Sequence, residues 1–169
     1  ESVARWLVDS GSAEEDVHRE NVHGWTALML AAQKGYLGLV KWLAQQGADV
    51  QRAKHDGRTA LIIAAEYDNE EVVRWLVESA QASLTATTED GWTAAMMAAS
   101  QGFDSIVKFL LESASSPATH AGVVLRMAAA NGQESLVQWL AASKRVDINE
   151  QDDDGHTALI LAAMEGHEQ

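Results

Sequence analysis

The chain has 169 residues, with 12 lysines and arginines against 25 aspartates and glutamates, for a formal net charge of −13 and a pI near 4.7. This acidity argues against nucleic acid or an anionic membrane surface as partner, since both call for clustered Lys and Arg, and favours a protein partner with a basic patch. With no cysteine there is no disulfide frame or thiol chemistry; no run reaches the ~20 apolar residues of a membrane span, nothing at the start reads as a signal peptide, and a cytoplasmic setting is expected.

Residues 1–11, with Ser-Val-Ala-Arg-Trp6-Leu and Gly11, have the pattern of a second helix without its first. Residues 12–15 then lengthen the loop before Asp16-Val17. The stretch 23–43, HGWTALMLAAQKGYLGLVKWL, is the clearest phrase in the chain. Two short apolar helical patterns flank Lys34-Gly35. Thr26 suits the N-cap of the first, Ala31-Ala32 are small enough for adjacent helices to approach closely, and Gly47 closes the second in the left-handed conformation.

That phrase returns along the chain, and a fixed period is the signature of a repeat architecture. Paired alanines recur at Ala31-Ala32, Ala64-Ala65, Ala98-Ala99, Ala128-Ala129 and Ala162-Ala163, with spacings of 33, 34, 30 and 34. The second-helix aromatic keeps step as Trp42, Trp75, Phe109 and Trp139, and Gly-x-Thr-Ala opens four copies at Gly24, Gly57, Gly91 and Gly155. In the second copy Asp68-Asn69 replaces the inter-helix glycine, and both residue types tolerate positive φ. The third weakens Leu to Ala95 and leaves Met96 and Met97 to fill space.

The fourth copy reads ESASSPATHAGVV between Leu111 and Leu125, without Gly-x-Thr. Pro117 lacks an N–H and weakens a hairpin ladder there. Helices are predicted over 124–130 and 134–142, after a truncated or irregular finger. The fifth restores the pattern through Asp154-Gly155-His156-Thr157, and His167 begins a second helix. Neither end carries the polar outer face of a capping repeat, so the chain is expected to be a segment of a longer protein.

On Gly-Trp-Thr-Ala-Leu, Ala-Ala-x-x-Gly, Leu-Val-x-x-Leu and Gly47-Ala48-Asp49-Val50, the chain resembles an ankyrin-repeat array over essentially its whole length. The resemblance implies an all-α solenoid of stacked helix-turn-helix pairs with short β-hairpin-like fingers, in one domain over 1–169. Its parts are a partial repeat and long loop at 1–20, repeats at 21–53, 54–87, 88–117 and 118–151, and a partial repeat at 152–169. The family's Thr-Pro-Leu-His is replaced throughout, as in Thr26-Ala27-Leu28-Met29 and Thr59-Ala60-Leu61-Ile62. Losing Pro gives up pre-organisation of the first turn. Losing His removes, by resemblance, a hydrogen-bonded tie between neighbouring turns. Apolar packing is expected to substitute, leaving less rigid turns.

The resemblance also points to protein recognition through the concave face, without catalysis or cofactor. The positions it marks are Val22 and His23; Gln33 and Lys34; His55 and Asp56; Glu66 and Tyr67; Glu89 and Asp90; Ser100 and Gln101; and Asp153 and Asp154. Trp25, Arg58, Trp92 and His156 occupy the variable position after each finger glycine. The two tryptophans are either interface anchors or packing along neighbouring fingers. The second-helix aromatics, Trp6 included, read as inter-repeat packing rather than a stacking ladder, because apolar stripes at helical spacing are usually core. Six histidines show no metal spacing, and Asp152-Asp153-Asp154-Gly155 lacks the alternation and distal Glu of an EF-hand loop. No nucleophile elbow or phosphate loop is present. The rival expectations are a targeting or regulatory segment of a larger enzyme, channel or effector, and a structural subunit of a large assembly. The segment itself is expected to be monomeric or part of a larger chain or complex.

Overall fold

The computed structural model describes residues 16–113 and 118–167. The chain divides into two compact units, Glu1–Ala94 and Ala95–Gln169. In the first, a 3-10 turn at Asp16–His18 precedes α1 (Ala27–Gln33), α2 (Leu37–Gln45), α3 (Ala60–Glu66) and α4 (Glu70–Glu78). Helix α5 (Ala94–Gln101) straddles the division, and α6 (Asp104–Glu112), α7 (Ala118–Ala130), α8 (Glu134–Ala142) and α9 (Ala158–Met164) follow in the second unit. Among the described residues the strand pairing consists of two isolated bridges, Glu20 with Thr26 and Ala53 with Thr59, at the bases of the first two fingers. The fold is an all-α repeat solenoid of helix pairs. The helix expected in residues 1–11, with Trp6, lies outside the described residues.

Three of the first helices begin at a threonine that caps them. Thr26, Thr59 and Thr157 have extended backbones, and their hydroxyls accept from the N–H groups of Met29, Ile62 and Ile160 at 3.3, 3.4 and 3.3 Å. This satisfies one orphan donor of each first turn. In the first unit α1 packs against α2 and α3, and α3 against α4; in the second, α7 packs against α8 and α9. The alanine pairs make this approach possible, and Ala32, Ala64, Ala65, Ala98, Ala99 and Ala128 have no exposed surface. Around them Leu28, Leu61, Ile62, Val40 and Leu76, and in the second unit Ile106, Leu125, Leu136 and Leu140, are fully buried. Each such Leu or Ile contributes about 1.5–3 kcal/mol. The second-helix aromatics Trp42, Trp75, Phe109 and Trp139 are half-buried, flanking this core.

The fingers stack closely. Gly24 and Gly57 have φ of +77° and +83°. A Cβ on Gly24 would come within 2.9 Å of the His55 nitrogen, and one on Gly57 within 2.8 Å of the Thr87 carbonyl oxygen and the Thr88 Cα. The Glu89 N–H donates to the Asp56 carbonyl across the same junction at 3.0 Å. Asp68 adopts φ of +57° between α3 and α4, as its residue type allows, and Gln81 takes a left-handed conformation at +54° shortly after α4.

Met29 and Ile62, which stand where the family carries histidine, are fully buried in the apolar core, and at the other end of the first helices polar ties bind successive repeats. In three repeats a side chain just past the turn that closes the first helix reaches back to the end of the first helix one repeat earlier. Asn69 donates to the carbonyls of Ala32 and Gln33 at 2.8 and 2.9 Å. In the second unit Gln133 donates to the Ala99 carbonyl, and His167 Nε2 lies 3.0 Å from the Ala130 carbonyl oxygen. These contacts satisfy carbonyls that a helix C-terminus leaves unpaired. Elsewhere, the Gln51 amide donates to the Gln81 carbonyl at 2.9 Å and accepts from the Ser83 N–H at 3.0 Å.

The truncated finger expected in the fourth repeat is replaced, over residues 118–123, by helix. Helix α7 has 13 residues where the other first helices have seven or eight. With no glycine-threonine corner to stop it, the run ATHAGVV continues the helix upstream; residues 114–117, including Pro117, lie outside the described residues. Glu150 packs on this longer helix, with Arg126 Nη1 at 3.4 Å from its carbonyl and 3.5 Å from its carboxylate.

Gly57→Ala should lower stability by more than about 2 kcal/mol, because left-handed strain adds to a backbone clash. Gly47→Ala should lose only about 1–2 kcal/mol, since the nearest atoms there are the His18 ring at 3.9 Å. Urea unfolding of both variants tests this, and equal losses would refute the backbone contact. Asn69→Asp, isosteric but without donors, should lose about 1–3 kcal/mol in the same assay; an unchanged midpoint would show that the carbonyl ties are dispensable.

Candidate functional site

Among the described residues four finger corners share one backbone arrangement. The carbonyl after the glycine accepts from the N–H four residues earlier: Trp25 from Asn21, Arg58 from Lys54, Trp92 from Thr88 and His156 from Asp152, at 3.0, 2.9, 3.0 and 3.0 Å. The N–H groups of Trp25, Trp92 and His156 donate to the side chains of Asn21, Thr88 and Asp152 at 3.1, 3.1 and 2.7 Å. Lys54 has no acceptor to offer, so in the second finger the Arg58 N–H donates to Asp56 Oδ1 at 3.1 Å. Main-chain atoms and the turn-capping residue hold the corner, and the side chain after the glycine is free to vary.

Released from capping, Lys54 reaches to the first finger. Its ammonium lies 4.6 Å from the centroid of the Trp25 ring and 2.7 Å from Asp56 Oδ2, with the side chain only 10% exposed. Asp56 also faces Arg58 Nη1 at 3.7 Å, and Arg58 Nη2 faces Glu66 at 3.4 Å. A single line of alternating groups, Trp25, Lys54, Asp56, Arg58 and Glu66, thus crosses two fingers to the end of α3. Burial raises the Asp56 pKa, but the Lys54 hydrogen bond, the Arg58 N–H and the two cations outweigh it and hold the carboxyl below its ordinary range. Trp25 therefore packs along its neighbouring finger, whereas Trp92 is 36% and Tyr67 50% exposed.

Lys54 is the member that sequence reasoning missed. Its signal was a lysine at the place where the other fingers carry Asn21, Thr88 and Asp152, all turn-capping acceptors. A second pair joins the bases of the first two fingers. Arg52 places Nη2 and Nε at 2.7 and 3.2 Å from one oxygen of Glu20, and His55 Nε2 lies 3.7 Å from the other. The hydrogen bond lowers the Glu20 pKa and raises that of Arg52. His55 belongs to this pair rather than to the Trp25 line.

The remaining sequence-marked positions are dispersed. Val22, His23, Lys34, Glu89 and Asp90 are exposed, and Gln33 is half-buried with its carbonyl held by Asn69. In the second unit the Ser100 hydroxyl donates to the Met97 carbonyl at 2.8 Å and so serves its own helix, while Gln101 is exposed beside it. Asp153 and Asp154 are exposed, and His156 Nδ1 lies 3.3 Å from Asp152 Oδ2. Ligand atoms of Asp152, Asp154 and His156 fall within 4.8 Å of one another. However, Asp152 Oδ1 already accepts the N–H groups of His156 and Asp154, at 2.7 and 3.0 Å. The His156 N–H is the largest cause of the lowered Asp152 pKa, and the arrangement works as a turn cap. Among the described residues no helix is long and apolar enough to cross a membrane.

Asp56 ionises more readily in the folded than in the unfolded chain. Its contribution to stability is present above the ordinary value of 3.8 and is lost as pH falls through its lower folded-state value. The side chain is 44% exposed, so solvent screening limits the effect to under about 1 kcal/mol. Urea melts from about pH 5 to about pH 2 should show the gap between wild type and Asp56→Asn closing with acidity. A gap constant across that range would remove Asp56 from the line.

Two family models match the chain: ankyrin repeats (3 copies) over residues 1–54 and 51–120, and ankyrin repeats (many copies) over residues 125–169. None of the curated proteins compared with the chain matches it. Ankyrin repeats are generally protein–protein interaction modules and are typically non-catalytic. With the repeated finger corners and the stacked first helices in place, the chain belongs to the ankyrin-repeat family.

Proposed function

We propose that the chain recognises a protein partner through its fingers and the exposed ends of its first helices, and that it performs no chemistry there. The observation that carries this reading is the invariant finger corner bearing Trp25, Arg58, Trp92 and His156 in turn. A frame held by main-chain atoms and a capping residue presents tryptophan, arginine or histidine at the same position of its finger, as a modular recognition surface requires. In the first unit Trp92 on a finger and Tyr67 at the end of a first helix are exposed aromatics, and aromatic side chains are the common anchors of protein interfaces. The Lys54–Asp56–Arg58–Glu66 line beside them is already ordered, which lowers the entropy lost on binding.

The proposed partner presents a basic patch. The net charge of −13 and the exposed acidic finger residues Glu89, Asp90, Asp153 and Asp154 support this. The same balance disfavours nucleic acid.

A photo-crosslinking residue placed at Tyr67, Trp92 or, as control, Glu71 (exposed on α4) tests this reading. Discrete adducts in cell extract are expected from positions 67 and 92 and not from 71. Adducts only from 71, or from none of the three, would overturn the reading. For a partner so identified, Trp92→Ala should weaken binding by more than ~1 kcal/mol with helicity unchanged.

A further inference from the structure

We infer that Trp92 is the seat for a basic side chain of the partner, a lysine or arginine whose cationic head lies over the indole as that of Lys54 lies over Trp25. This rests on the recognition surface proposed above and specifies its chemistry.

The protein contains its own template for the contact. Trp25 and Trp92 both follow a left-handed glycine, with φ of +77° at Gly24 and +81° at Gly91. Their carbonyls each accept at 3.0 Å from the N–H four residues earlier, and their N–H groups each donate at 3.1 Å to that residue's side chain. Equivalent backbones present the two indoles from equivalent corners, yet the rings differ in what covers them. Trp25 is half-buried beneath the Lys54 ammonium, 4.6 Å from its centroid. Trp92 is 36% exposed, and in the first unit no cation lies over its ring among the described residues.

The charge around Trp92 suits such a guest. Lys54 is held over Trp25 by Asp56, which stands immediately before Gly57. Asp90 has the corresponding place before Gly91, with Glu89 beside it, and both are exposed. An indole face attracts ammonium and guanidinium groups through its quadrupole. The aliphatic stem of Lys or Arg adds apolar cover, as the 10% exposure of Lys54 illustrates. A neutral apolar anchor would use the ring but leave these carboxylates without a counter-charge.

The test is a titration of the whole 169-residue protein with a capped hexa-arginine peptide at about 0.15 M salt, following the indole N–H signals by NMR, with a hexa-citrulline peptide as neutral control. Hexa-arginine should shift the Trp92 signal and leave that of Trp25 nearly unmoved, and hexa-citrulline should shift neither. Trp92→Leu should weaken hexa-arginine binding roughly three- to tenfold, and Trp92→Phe by less. Lys54→Ala should uncover Trp25, whose signal then shifts with the peptide as well. The inference is overturned if the Trp92 signal stays put while the peptide binds, if citrulline shifts it equally, or if Trp92→Leu binds as tightly as wild type. Those results would leave the recognition surface intact, because that reading is decided by cross-linking at positions 67 and 92.

Discussion

Main chain touching main chain between successive fingers is the constraint from which much of the first unit follows. At Gly24 and Gly57 the next finger comes so near that only hydrogen fits on the α-carbon, and the left-handed turn needs glycine for a second reason. Once those backbones are in contact, the spacing between successive fingers matches that between the first helices behind them. The alanine pairs then become necessary, since α1 and α3 must pack at the distance the fingers dictate. Fully buried Ala32, Ala64 and Ala65 are the other side of the same geometry.

Polar ties set the register along this stack. Asn69 closes the end of α1 with two bonds, and Gln51 clasps the loop one repeat onward with both ends of its amide. In the second unit Gln133 and His167 do for α5 and α7 what Asn69 does for α1. Each tie reaches only to the neighbouring repeat, so stability is a sum of local terms, as expected of a quasi-one-dimensional protein. These ties are directional, whereas alanine-rich contact surfaces could slide without large loss. Asn69, Gln133 and His167 are thus fixing points for the repeats they join.

The features legible in the sequence are those that repeat. Thr26, Thr59 and Thr157 cap helices because their hydroxyls bond within their own turn, and that relation is visible in a few consecutive letters. Asp68 could be placed at positive φ from its residue type alone. What stayed hidden depends on side chains crossing from one repeat to the next. Lys54 meets Trp25 across 29 positions of sequence, and nothing local says which way a long flexible side chain will turn. The upstream extension of α7 was masked by Pro117 and its serines, which suggested an irregular finger, while ATHAGVV carries no stop signal of its own. The surface positions were legible as variable letters, but their separation into a linked line, a second ion pair and scattered tips depends on which side chains meet across repeats.

The shared finger corner has an evolutionary consequence. Because the bonds that hold it come from main-chain atoms and from a capping residue elsewhere in the turn, the corner forms whichever side chain follows the glycine. Mutation there can alter what the surface recognises while drawing little on a stability margin that is narrow in most proteins. Tryptophan, arginine and histidine at one structural position are three solutions that a single scaffold accommodates. New specificity can therefore arise one repeat at a time.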